Sequence, residues 1–584
     1  MATTNKYDRQ LRLWGSNGQK LLSESCVILV NATAVGTETV KNLVLPGIGS
    51  FHIIDDYESD YGSRLAANEP FSNFFVFDHD GELSRAQVAR DHLSELNPEV
   101  KGGFTNVPSL LEADFSQLIQ DISKEHGHGK LLVIGADLPP VVSMALSEAC
   151  WNPSFSSSSI PLLIVKSYGL IGSVRVQTSY HPVIESKPDN SKPDLRLAMY
   201  PSVFPELHEY AHSVDLNSLD NQGHGHVPYV VILLQALRKW RESSGVNNAE
   251  NDYYSKLPKT FEEKTAFRII IKSMSRNWNN EVNFQEADEN AYLAYNVEEL
   301  PPETLELLMT AEDKMITKKS SGAFATVFDV LLVALKRFID QKGYPPLNGS
   351  IPDMASSTES YIHLQEIYKK KADEDKNDMR RLVEQLVSEF GSDFIPVVSD
   401  DDLGILCKNI FNIRLLKTRS FIDEYLNRYI SNEEKEEILE ELVAVTYDPY
   451  EVPEHTPLLW YIALRACDHF YDKHGYFPGK DNRELALHSD ACELQHQIEN
   501  VVKMLNLENN DLVKSTLCCT DEDKQMIFAK EMTRYFNAEI HNVSSVVGGV
   551  ASQEAVKLIT SQYVPIDCLY IYNGLASVAG VYRL

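Results

Sequence analysis

The chain has 584 residues, 43% of them hydrophobic, more than one hydrophobic core normally serves, so at least two globular units are expected. Its 84 acidic against 54 basic residues give a formal charge of −30, which disfavours non-specific attachment to nucleic acid or anionic membrane and points to proteins as partners. No apolar run reaches membrane-spanning length, the polar start Met1 to Gln10 lacks a signal-peptide core, and the eight cysteines form no CxxC pair, so a cytoplasmic protein with reduced thiols is expected, with the nucleus as a second compartment.

Near the start, Tyr7, Leu11 and Trp14 fall at i, i+4 and i+7, an apolar stripe on a short helix that Gly15 can end, which leaves Arg9 and Arg12 together on another face. Cys26 to Val30 reads as a buried strand. The helical pattern through Val40, Leu43 and Val44 stops at Pro46, and a second strand runs from Phe51 to Ile54 and closes on Asp55 and Asp56. Strand, helix and strand within about thirty residues make the opening unit of a doubly wound α/β sheet. Leu131 to Ile134 and Pro161 to Val165 continue that sheet. From about residue 175 helical patterns dominate, among them Val230 to Trp240, Phe324 to Phe338, Arg380 to Phe390 and Leu458 to Phe470. The acidic stretch Glu433 to Glu441, with Ile438 and Leu439 inside it, reads as a solvated helix face. Val546 to Thr560, with Gly548 and Gly549 ahead of a strong helix, and the strand-like Leu569 to Tyr572 bring the sheet back. The expected organisation is a sheet domain over 1–175, a mainly helical insertion over 176–535, and the closing part of the sheet domain over 536–584.

A nucleotide site in such a sheet needs glycine at the first turn, because the backbone must bend tightly and approach phosphate oxygens with no side chain between. Here the turn reads Val30-Asn31-Ala32-Thr33-Ala34-Val35-Gly36. Asn31 and Thr33 stand where the first two glycines of GxGxxG belong, and only Gly36, the helix-packing position, remains. Asp55 sits where an acidic residue could reach a ribose hydroxyl, but a carboxylate at a strand end is also an ordinary cap. No cofactor is expected to bind this chain. Two histidine pairs, His126 with His128 and His224 with His226, lie in Gly-rich loops without a matched third ligand. The first reads as a solvated turn and the second as a helix-start segment before Pro228, so no metal site is expected.

The decapeptide Lys6-Tyr7-Asp8-Arg9-Gln10-Leu11-Arg12-Leu13-Trp14-Gly15 resembles the opening of the enzymes that activate ubiquitin-like modifiers. Lys41 to Gly49, His181 to Ser186, Ile351-Pro352-Asp353-Met354 and Gly548 to Glu554 extend the resemblance over nearly the whole chain. It implies a Rossmann-like, ThiF/MoeB-type adenylation fold with a degenerate site and a large helical insertion. In that family the active half binds ATP and magnesium, adenylates the modifier and passes it to a cysteine. The Asn-Arg-Gln element of the active half falls on Asn73-Phe74-Phe75, where an aromatic replaces the cation, and Asp137 stands at the position of its magnesium-binding aspartate. Cys518-Cys519-Thr520 is similar to its Cys-Thr, but Asp521, Glu522 and Asp523 follow, and negative charge disfavours a thiolate.

The resemblance therefore implies the regulatory, non-catalytic type of subunit. Its expected partners are a catalytic subunit in an obligate heterodimer, a NEDD/Rub-type modifier and, transiently, a conjugating enzyme, with ATP and magnesium held by the catalytic subunit. Arg9 would be supplied in trans to that site, with Arg12 in support. The corresponding subunit for a SUMO-type modifier shares the opening motif but keeps a more glycine-rich turn, so the resemblance favours neddylation; the SUMO-type subunit and a free-standing adaptor are the alternatives.

Overall fold

All five residues of Cys26–Val30 are buried, and this apolar run forms β1 at the centre of the sheet. The computed structural model describes residues 6–56, 73–76, 83–126, 129–153, 159–188, 192–199, 201–243, 257–429, 431–445, 452–481, 483–518 and 525–584. They form two compact units, one made of Met1–Val183 with Leu415–Leu584, the other of Ile184–Arg414.

The first unit opens with helix α1 (Asp8–Ser23), which breaks at Gly15 with φ 70° and ψ 178°, a left-handed backbone that glycine adopts without strain. After β1 come α2 (Ala34–Val44), β2 (Ser50–Asp56), α3 (Arg85–Leu96), β3 (Lys101–Val107), α4 (Phe115–His126), β4 (Leu131–Ala136), α5 (Pro140–Trp151), β5 (Leu162–Tyr168) and β6 (Ile171–Gln177). With β7 (Leu569–Asn573) and β8 (Val578–Tyr582) these make an eight-stranded sheet in the order β8-β7-β6-β5-β4-β1-β2-β3. The run from β3 to β5 is parallel and β6, β7 and β8 are antiparallel. Alternation along β1 and β2 splits the core. Val27, Leu29, Phe51 and Ile53 face α2 and helix α12 (His541–Thr560), whereas Ile28 and Ile54 face Ile119 and Ile122 of α4.

The second unit is helical. Helix α6 (Tyr229–Ser243) is buried from Tyr229 to Leu234 and packs with Phe267, Phe284 and Tyr368, the last from α8 (Thr358–Phe390). Helix α7 (Val327–Lys342) starts from a reciprocal cap between Thr326 and Asp329 and ends on left-handed Gly343.

Two expectations change. The helical insertion does not run from 176 to 535: the chain from Leu415 onward belongs with the sheet. Helices α9 (Pro457–His474), α10 (Glu484–Met504) and α11 (Ile527–Tyr535) bury Trp460, Phe470, Leu494 and Phe528 in one core with Leu569 and Ile571 of β7, so the apolar faces of these helices close on the sheet edge. Gly548 and Gly549 do not precede the last helix but lie inside α12. A Cβ on Gly548 would stand 3.0 Å from the Glu38 Cβ and 3.1 Å from the Thr39 amide nitrogen, so this glycine is where α12 crosses close over α2.

Candidate functional site

The turn after β1 stands at the carboxyl end of the parallel strands, where open sheets of this type place ligands. Asn31 holds a left-handed φ of 74°, which asparagine tolerates better than most residues, so the bend is made without glycine. Its side chain is fully buried, donates to the Ala136 carbonyl at 2.8 Å and accepts from Arg85. Thr33 caps α2: its hydroxyl accepts from the Gly36 amide at 3.4 Å and donates to Asp137 at 3.2 Å. Gly36 keeps the packing role, since a Cβ there would lie 2.8 Å from the Ala136 Cβ. Asp55 is wholly buried. It accepts the Ala32 amide at 3.2 Å and both Nε and Nη2 of Arg85, at 2.7 and 2.6 Å, so its oxygens are committed within the turn.

The amides at the start of α2 already hold an anion-type acceptor of the chain's own. Ala34 and Val35 each donate to the Glu539 carboxyl at 2.7 Å, so Glu539 occupies the position in which a helix N-terminus would hold phosphate. Asp137, which accepts the Ser167 amide at 2.8 Å, is hydrogen-bonded to Glu539 and buried with it. Burial pushes Asp137 up to about 6, and burial together with the Asp137 charge pushes Glu539 well above its ordinary value, so the pair gives up its protons less readily than two exposed carboxyls. Asn73 closes the other side, donating to the Ala32 carbonyl at 3.0 Å and accepting from Thr37 and the Phe75 amide at the same distance, while Phe74 is exposed and stacks edge-on against His541. The phosphate position of this turn holds a carboxyl, and Asn73-Phe74-Phe75 sets no cation against it. Glu539 and Arg85 complete the plug and escape a motif-based reading, since neither lies in the glycine-motif stretch.

On the exposed helix α1, Arg12 pairs with Asp8 at 2.9 Å, while Arg9 makes no hydrogen bond or ion pair among the described residues. Cys518 is half-buried at the edge of the α9–α11 core, and Cys519 to Asp523 lie outside the described residues. His224 is buried, with Nδ1 2.6 Å from Glu281 and its ring stacked on Phe284, and His226 lies 2.6 Å from the Gln222 carbonyl. His126 is not in a solvated turn: it is the half-buried last residue of α4, beside His52 of β2, and His128 lies outside the described residues. No helix of the described residues is long and apolar enough to cross a membrane.

The model of the ThiF family matches residues 7–581. Curated proteins align over the full length. The NEDD8-activating enzyme E1 regulatory subunit of Xenopus laevis is 34% identical, with 99% of this chain and 98% of that protein covered. The Danio rerio protein of the same name is 33% identical over 99% and 98%, and the regulatory subunit AXR1 of Arabidopsis thaliana is 32% identical over 98% and 94%. The chain belongs to the ThiF family and, within it, to the NEDD8-activating enzyme E1 regulatory subunits.

Proposed function

We propose that the chain works as the non-catalytic half of a heterodimeric enzyme that activates a NEDD8-type modifier, binding no ATP itself and supplying Arg9 to the nucleotide site of its catalytic partner. The observation that carries this reading is the Glu539 carboxyl on the Ala34 and Val35 amides, the place an adenylating member of the fold needs for phosphate. A chain with that position filled from within is suited to hold and complete a partner rather than to adenylate. ATP, magnesium and the acceptor cysteine then belong to the partner, and a conjugating enzyme meets the assembled heterodimer.

Arg9 supports the second half of the reading. It is exposed on the first turn of α1 and is bound to nothing within the described residues, whereas its neighbour Arg12 is already neutralised by Asp8. A guanidinium offered this way can make charge-assisted, bidentate contacts to phosphate oxygens of a site on another subunit. The test is thioester formation on the purified catalytic subunit with ATP and modifier, the chain being wild type, Arg9→Ala or omitted. Omission is expected to abolish charging, and Arg9→Ala to slow it about 10- to 1000-fold while the heterodimer still assembles. A thioester on this chain, or full-rate charging with Arg9→Ala, defeats the corresponding half of the proposal.

A further inference from the structure

At the opposite end of the sheet from the plugged turn, three ligand-type side chains meet. His52 near the start of β2 and Glu125 and His126 at the end of α4 each bring one ligand atom to within 4.8 Å of the others. Strand alternation turns His52 to the α4 side, and α4 ends at that height of the strand. Each group is free to coordinate. His52 is 6% exposed; its Nε2 is taken by the Thr105 hydroxyl at 2.8 Å, which leaves Nδ1, buried and without a hydrogen-bond partner, as the nitrogen open to a metal. His126 likewise leaves Nε2 buried and unpartnered, and Glu125 is exposed with no hydrogen bond or ion pair among the described residues.

We propose that His52, Glu125 and His126 form a divalent transition-metal site, with Zn²⁺ as its ion. Two imidazoles and one carboxylate are a common zinc ligand set with an open fourth position, and Glu125 and His126 line an open cleft of about 970 Å³ that gives solvent access to it. The Thr105 hydroxyl, 2.8 Å from Nε2, holds the ring of His52 through the nitrogen that does not coordinate, as an outer-shell hydrogen bond orients a metal-bound histidine. Gly103, opposite His52 in the β2–β3 register, leaves room for that ring: a Cβ there would lie 2.4 Å from Nδ1. The C-terminal end of α4 adds a favourable field for a cation. The bound ion would tie the last turn of α4 to β2.

The site is tested on the full chain, stripped with a chelator and titrated calorimetrically with ZnCl₂, with His126→Ala and Glu125→Gln as variants. Both changes lie in the last turn of α4, Glu125 exposed and His126 half-buried, so circular dichroism should match wild type. Wild type is expected to bind one equivalent with a rise in Tm; each variant should bind at least about tenfold more weakly and lose that rise. Co²⁺ in place of Zn²⁺ should show no thiolate charge-transfer band, which separates this site from the cysteines. Absence of saturable binding by wild type, or equal affinity in wild type and His126→Ala, overturns the proposal.

Discussion

Glu539 closes the pocket that the fold would otherwise offer, and its burial beside Asp137 makes the closure sensitive to pH. Both carboxyls titrate above their ordinary values, Asp137 near 6, because burial disfavours their charged forms. The folded state therefore binds more protons than the unfolded chain above about pH 4, and this pair's contribution is complete at low pH and is lost as pH rises through the folded values. Glu539→Gln removes one titration and keeps one of the two acceptor oxygens that the Ala34 and Val35 amides use. Between about pH 5 and 8 the Tm of the variant should therefore decline less steeply than that of wild type. Parallel melting curves for the two proteins across that range would show that the pair does not titrate there. The broken half of this site was legible in the sequence, because Asn31 and Thr33 stand where a tight phosphate turn needs glycine. The filled half was not: Glu539 lies just ahead of α12 and is brought to the turn by a tertiary pairing with Gly169, which no local pattern marks.

The elements that were read correctly from sequence are those whose signal is local. The buried run Cys26–Val30, the break at Gly15 and the helical stripe of α6 each follow from residues within a few positions. What sequence could not assign was the core to which an amphipathic helix turns, and so α9 and α10 read as part of the insertion although Trp460 and Leu494 are buried in the core that contains β7. Gly548 and Gly549 show the same limit at finer grain, since a pair of glycines reads as a helix boundary until the neighbouring helix is in place. Their surroundings differ sharply: a Cβ on Gly548 meets α2 at 3.0 Å, and one on Gly549 meets nothing within 4 Å. Gly548→Val should accordingly cost about 1–3 kcal/mol by forcing α12 off α2. Gly549→Ala should be neutral or stabilise by up to about 1 kcal/mol, through helix propensity alone. Urea denaturation of both variants decides this, and equal stabilities would mean that the α2–α12 crossing is not tightly packed.

Taken as a whole, the chain carries a formal charge of −30, yet burial opposes the charging of several histidines in its interior, and these contribute to its response to acid. Burial lowers His181 to about 3 and His208 and His469 to about 4; the Lys130 charge adds to the effect at His181, and cationic neighbours add to it at the other two. His181 and His469 belong to the sheet unit and His208 to the helical one, so the effect is not confined to either. With folded values below the ordinary 6.5, the stability tied to these groups is fully present above about pH 6.5 and is lost as pH falls toward 4, because the unfolded chain takes up protons that the folded chain refuses. This runs against the Asp137–Glu539 pair, which gains on acidification. Because the two contributions oppose each other, each is read from its own variant. His181 is the cleanest probe, being buried with its Nε2 unpartnered. Replacing it with leucine should remove one proton from the linkage and reduce the slope of unfolding free energy below pH 6.5 by up to about 1.4 kcal/mol per pH unit. Denaturant titrations of wild type and His181→Leu at several values between about pH 4.5 and 7 measure that slope. An unchanged slope would mean that His181 is protonated in the folded state, and that the acid sensitivity arises elsewhere.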